Sequence, residues 1–153
     1  MTGAGPTGPW IEDCVVERIS FRDGLVLSLD GYNELVISVP IRLHLPPTGR
    51  HAAETVVIDP RAAAPVQRAL FDFAGTRCTG FFFDDDGELR LELATGHRID
   101  VSPGPAPAWE LYCKYHGYAA CLRRGRVRVV RHDFDEDPAD PAGPETPGAG
   151  PGG

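Results

Sequence analysis

Residues 78–101 read CTGFFFDDDGELRLELATGHRIDV. Leu89, Leu91 and Leu93 alternate with Glu88, Arg90 and Glu92, and Ile99 and Val101 alternate with Arg98 and Asp100. Successive side chains of a strand point to opposite faces, so this spacing predicts strands with one dry and one wet face. Phe81 and Phe83 extend the pattern upstream, less cleanly because Phe82 is also apolar. Asp84-Asp85-Asp86-Gly87 and Thr95-Gly96 supply turns, the glycine in each giving the positive φ that a tight hairpin needs. The stretch is therefore expected to be a three-stranded antiparallel meander.

Residues 14–39, CVVERISFRDGLVLSLDGYNELVISV, repeat the plan. Displaced by 64 positions, Leu25, Leu27, Leu29, Leu35 and Ile37 fall on Leu89, Leu91, Leu93, Ile99 and Val101. The shared register suggests an internal duplication. A meander cannot bury its apolar face alone, so the two are expected to pack face to face or to join in one curved sheet. The fold class expected is mainly β (α+β): two duplicated antiparallel meanders, a C-terminal hairpin and one helix packed on the sheet.

Downstream of the first meander the odd-numbered apolar positions run on from Leu35 to Leu45, interrupted on the opposite face by Pro40, which predicts an edge or a bulge there. Val56, Val57 and Ile58 suggest a short strand. Asp59-Pro60 looks like a helix start, and Val66, Ala69, Leu70 and Phe73 mark one apolar helical face, with Pro65 a second place for the helix to begin. After the second meander, 102–108 is proline-rich. Residues 109–130 read as a hairpin and a last strand. With Gly117 as the hinge, Cys113 would face Cys121.

Composition supports one domain over 10–132, with disordered flanks at 1–9 and at 133–153, the latter an acidic Pro/Gly tail. The net charge of −7 is concentrated in that tail: its six acidic residues leave −1 for the remainder. A neutral body has no electrostatic drive toward nucleic acid. No apolar run approaches the ~18 residues of a membrane span, and the first residues look unlike a signal peptide. A cytoplasmic location is expected. Of 15 basic residues only Lys114 is lysine, a skew typical of GC-rich bacterial genes.

From residue 70 to 130 the chain resembles the short actinobacterial proteins grouped as domain-of-unknown-function family 6188. The resemblance rests on FAGTRCTGFFFDDDGELRLELATGHRIDV, AWELY and RRGRVRVV, with VPIRL and the first meander similar to that family's N-terminal half, and it spans about Trp10 to His132. Lys114-Tyr115-His116-Gly117 and Arg123-Arg124-Gly125 depart from the family's turns. The resemblance implies a bacterial β-rich fold and carries no known activity. Some small bacterial β-proteins of this kind look like immunity proteins, which neutralise a toxin by binding it.

The chemistry-bearing groups are sparse. Cys113, His116 and Cys121 are weak metal candidates, with His132 or His97 as a fourth ligand, but they lack paired Cys-x-x-Cys spacing. Asp84-Asp85-Asp86 reads as a solvated turn rather than a cation loop. There is no nucleophile elbow and no phosphate loop between strand and helix, so no catalytic residue and no cofactor is predicted. Trp109, Tyr112, Tyr115 and Tyr118 cluster around the last hairpin; the interface candidates are Trp109, which suits the core better, Tyr115, His116 and Tyr118, with the stripe Arg124, Arg126 and Arg128. The leading expectation is a non-enzymatic protein-binding module of immunity type, partnered by another protein. The alternative is a small enzyme or ligand-binding protein with a pocket between the meanders lined by His44, His97 or Glu110.

Overall fold

The computed structural model describes residues 10–62 and 65–132. The terminal segments expected to be disordered lie outside the described residues. The strands are β1 (Val16–Phe21), β2 (Leu25–Leu29), β3 (Asn33–Ile37), β4 (Ile41–Leu45), β5 (Glu54–Ile58), β6 (Cys78–Phe83), β7 (Leu89–Leu93), β8 (Arg98–Val101), β9 (Trp109–Cys113), β10 (Gly117–Cys121) and β11 (Val127–Arg131). They form two antiparallel sheets, one in the order β1-β2-β3-β9-β10-β11 and the other β5-β4-β8-β7-β6.

Both meanders are present, and their pairing repeats. Leu25 faces Ile37 and Leu27 faces Leu35, while Leu89 faces Val101 and Leu91 faces Ile99. The first strand of each carries a bulge at the same place, between Val16 and Arg18 in β1 and between Cys78 and Gly80 in β6. The first strands match at a displacement of 62 rather than 64 positions, because the β1–β2 turn is two residues shorter than the β6–β7 turn.

The expectation at Pro40 needs correction. The run from Leu35 to Leu45 is neither an edge strand nor a bulged one. It breaks at Ser38-Val39-Pro40, and the chain crosses from the first sheet to the second. There β4 becomes an inner strand between β5 and β8. The proline stands where a ladder donor is no longer required. The proline-rich segment 102–108 makes the reciprocal crossing, so β9 leaves the second meander and pairs with β3 of the first. Each meander thus lends the strands that follow it to the other's sheet.

Alternation builds the core directly. One inward row crosses the first sheet as Ile19, Leu27, Leu35, Leu111, Ala119 and Val129. Its counterpart in the second sheet is Val56, Leu43, Ile99, Leu91 and Phe81. Most of these residues are fully buried, and the inward side chains belong to one apolar cluster. Two local ties join the layers. The Trp109 indole N–H donates to the Gly87 carbonyl at 3.0 Å, and Phe83 packs against the Trp109 ring at 5.2 Å. At one corner the backbone of 13–16 pairs with 75–78.

The helix is a 3₁₀ helix over Pro65–Phe73. Its three-residue period places Leu70 and Phe73 on one face, and both are fully buried, whereas Phe71 is exposed. Asp59 caps a preceding turn instead of the helix, through its Oδ1 to the Arg61 amide. Gln67 then pins the helix back to the Asp59 and Ala62 carbonyls.

Leu91 is fully buried within its row, between Ile99 and Phe81. Leu91→Ala is expected to cost about 3 kcal/mol in chemical denaturation, against less than about 0.5 kcal/mol for Arg126→Ala on the surface.

Candidate functional site: a tyrosine-rich surface on the six-stranded sheet

The last hairpin is registered about Tyr115, not Gly117. Cys113 faces Gly117 and Cys121 faces Trp109. The two cysteines therefore sit at opposite ends of the hairpin, about 13 Å apart at the strand rise. The proposed Cys113–His116–Cys121 ligand set does not converge, and no metal-ligating cluster occurs among the described residues. Gly117 has φ of +127°, and a Cβ there would run into the Val130 carbonyl of the neighbouring strand. Its role is close approach of β11, not hinging.

All four cysteines are free thiols. Burial pushes the Cys78 and Cys113 thiols up to about 12, and it also raises those of Cys14 and Cys121. None of them is poised as a nucleophile at neutral pH.

The histidines and Glu110 expected to line an inter-sheet pocket are scattered. His97 is buried under Phe73, ring to ring at 5.5 Å, with its Nδ1 held by the Thr95 hydroxyl at 2.7 Å. Glu110 lies on the outer face of the first sheet and accepts the Tyr118 hydroxyl at 3.1 Å. His44 lies on the outer face of the second sheet. Apolar side chains fill the space between the sheets.

His44 belongs to a network that alternation alone did not reveal. Its Nε2 is 2.8 Å from Asp100 Oδ2, and its Nδ1 is 2.9 Å from the Thr55 hydroxyl. Arg98 Nη2 also lies 3.2 Å from the same Nε2, so Asp100 and Arg98 both meet the imidazole there. Arg98 donates to Asp100 at 3.1 Å, and Arg90 approaches the other carboxylate oxygen at 3.5 Å. Thr55 is exposed to water, so the network reads as a cross-strand charge cluster bracing an outer face.

The interface candidates separate by burial. Trp109, at 1% exposure, is a core residue and is removed from the surface set. Arg124, Arg126 and Arg128 are exposed, although Arg124 sits in a 3₁₀ turn with φ of 60°, so the stripe is broken at that end. His116 is half-buried in the β9–β10 turn, and Tyr118 is half-buried against Tyr112 with ring centroids 5.2 Å apart.

Tyr115 and Tyr118 are joined by Tyr112 of the same aromatic cluster and by Tyr32, which the sequence did not single out. The chain has four tyrosines, and all four meet at one end of the six-stranded sheet. Tyr32 comes from the β2–β3 turn, and Tyr112, Tyr115 and Tyr118 come from the β9–β10 hairpin. Their exposures are 75% for Tyr32, 51% for Tyr115 and 43% for Tyr112. The Lys114 ammonium lies 4.5 Å from the Tyr32 ring centre and 5.5 Å from that of Tyr115, joining the two turns by cation–π contact. The Lys114 amide donates to the Tyr32 carbonyl at 3.3 Å.

Tyr32 has φ of 62°, in the left-handed region that bulky side chains rarely enter. The turn is held there by Asn33 Nδ2 donating to the Asp30 carbonyl at 3.0 Å and by Asp30 Oδ1 accepting the Val15 amide at 2.7 Å. Partial burial, with the Glu110 carboxylate beside it, raises the Tyr112 hydroxyl to about 12, so Tyr112 keeps its proton at physiological pH.

A family model of unknown function, DUF6188, matches residues 7–131. The chain belongs to the DUF6188 family. No curated protein and no solved structure matches it. No helix among the described residues is long and apolar enough to cross a membrane.

Two outcomes follow from the buried groups. Burial lowers the His97 pKa below its usual 6.5, so the unfolded chain takes up the proton first as pH falls. The stability His97 contributes is complete above about pH 6.5 and is lost as pH drops through the lower folded value. In urea titrations between pH 7 and 5, His97→Gln is expected to show a shallower fall than the parent. With an alkylating thiol reagent, Cys78, Cys113 and Cys121 should stay protected in the native protein, and all four thiols should react after denaturation.

Proposed function

We propose that this protein is a non-enzymatic protein-binding module, of the immunity type that works by covering its target, and that the tyrosine surface is its contact site. The observation that carries the reading is the convergence of all four tyrosines, from a turn and a hairpin some 80 residues apart in the chain, at one end of the six-stranded sheet, three of them exposed. Tyrosine gives large, rigid, amphipathic contact area at low entropic cost, and it is enriched where proteins touch. The strained backbone at Tyr32 points the same way, since a conformation costing about 1 kcal/mol is maintained under a side chain that buries little in the free protein. The protonated, buried thiols and the apolar filling between the sheets support a role without covalent chemistry.

Three further parts of the reading rest on composition and register. The two halves arose by duplication, which the repeated bulges and pairings support. Four free cysteines suit the reducing cytoplasm. The near-absence of lysine suits an actinobacterial genome.

The test compares the parent chain with Tyr112→Ala/Tyr115→Ala as bait in lysate of the source organism. The expected result is a defined protein, confirmed with purified components, whose binding weakens at least tenfold in the double variant. Equal binding by both baits overturns the reading, as does ester hydrolysis by the pure protein that disappears in His44→Ala. Tyr32→Asn should be as stable as the parent within about 0.5 kcal/mol, because asparagine tolerates the left-handed region, yet bind the same protein more weakly.

A further inference from the structure

We propose that the exposed row of β11 receives the chain's own acidic segment, residues 133–137, as an intramolecular cover. β11 ends the six-stranded sheet and pairs with β10 alone, so one side of its ladder is open. Along it Arg126, Arg128 and Val130 are exposed, alternating with Val127 and Val129, which pack on the core. Among the described residues, no carboxylate comes within ion-pairing distance of Arg126 or Arg128. On the same face the neighbouring strand presents Tyr118 and Ala120. Glu110 stands one strand further in, where it accepts the Tyr118 hydroxyl at 3.1 Å. Arg123 and Arg124 lie beyond the row, beside the acidic β6–β7 turn, whose Asp86 carbonyl meets Gly125. Arg131 lies over the Trp10 ring and is not counted in the row. The row itself thus offers two cations and one apolar side chain.

The five residues that follow His132 read Asp133-Phe134-Asp135-Glu136-Asp137, four acids and one aromatic. In charge and in apolar content they complement the row. The point of departure suits the contact too. The His132 amide donates to the His116 carbonyl at 3.1 Å, so the chain leaves β11 at the end nearest Val130. At a strand rise of about 3.3 Å, Arg128 lies about 13 Å back from His132, and five extended residues reach about 17 Å. A reversal after His132 therefore carries the acids to Arg128 and within side-chain reach of Arg126. An exposed ion pair contributes little by itself. Here several charges act together, and the short tether holds them at an effective concentration of roughly millimolar or above. The segment competes for the row with any acidic group of another molecule. The tyrosine surface plays no part in this contact, so either reading can fail without the other.

The test uses the whole chain and backbone amide NMR signals, comparing the parent with Asp133→Asn/Asp135→Asn/Glu136→Gln/Asp137→Asn. At about 20 mM salt this neutralisation is expected to move the signals of Arg126, Arg128 and Val130, and at about 0.5 M salt, where exposed charges are screened, the two spectra should coincide there. Arg126→Gln/Arg128→Gln should in turn move the signals of 133–137. The capped peptide Ac-EEEEEE-NH2 is expected to bind the neutralised variant at least threefold more tightly than the parent at low salt. That gain should vanish when Arg126→Gln/Arg128→Gln is added. The proposal is overturned if the signals of 126–130 are the same in both chains, if the changes stop at Arg131 and His132, or if the peptide binds both chains equally. Differences that grow with protein concentration also overturn it, because the acidic segment would then be covering a second copy.

Discussion

The structure depends on one constraint: two meanders, each with a continuous apolar face, must hide those faces from water at the same time. Each inward leucine or isoleucine gains about 1.5–3 kcal/mol on burial, and the inward rows contain little else. Simple stacking of two three-stranded sheets would leave both with narrow faces and open edges beside β3 and β8. Sending β4 and β5 to one sheet and β9, β10 and β11 to the other widens both faces and gives β3 and β8 a second neighbour. The Trp109 indole then fixes the spacing between layers where the second crossing ends, through its bond to the Gly87 carbonyl.

Much of this was legible in the residues, and the boundary of legibility has a physical cause. Period-two alternation is a local property, so Leu25 to Ile37 and Leu89 to Val101 declared their strands and facing directions. Which strand lies beside which is not local. The odd-numbered run from Leu35 to Leu45 keeps its period through Pro40 because both sides of the crossing supply inward side chains to the same core. Alternation therefore could not show that the sheet had changed. The hairpin register failed for a related reason. Gly117 resembles a turn glycine, but its positive φ serves close packing against Val130, and the turn lies at 114–116.

The candidate site was legible only in part. Tyr112, Tyr115 and Tyr118 stood out as neighbours in sequence, whereas Tyr32 joins them only through the pairing of β3 with β9. A signal was available at Tyr32, which follows Asp30-Gly31 in a turn where a second positive φ falls on a bulky residue. A second non-local pairing, of β4 with β8, assembles Asp100 with His44, drawn from opposite halves of the chain. Trp109 shows the reverse: an aromatic residue that suits an interface by type is claimed by the interior.

The exchange of strands also bears on how the chain is made. During synthesis β3 leaves the ribosome with one side of its ladder vacant, and its partner β9 is not yet translated. The first five strands cannot close around a dry interior until the second meander has followed them out. Folding is therefore expected to wait for the second meander and to be slow, because long-range closures must precede most of the gain. A chaperone that shields nascent apolar strands would find its substrate in that interval.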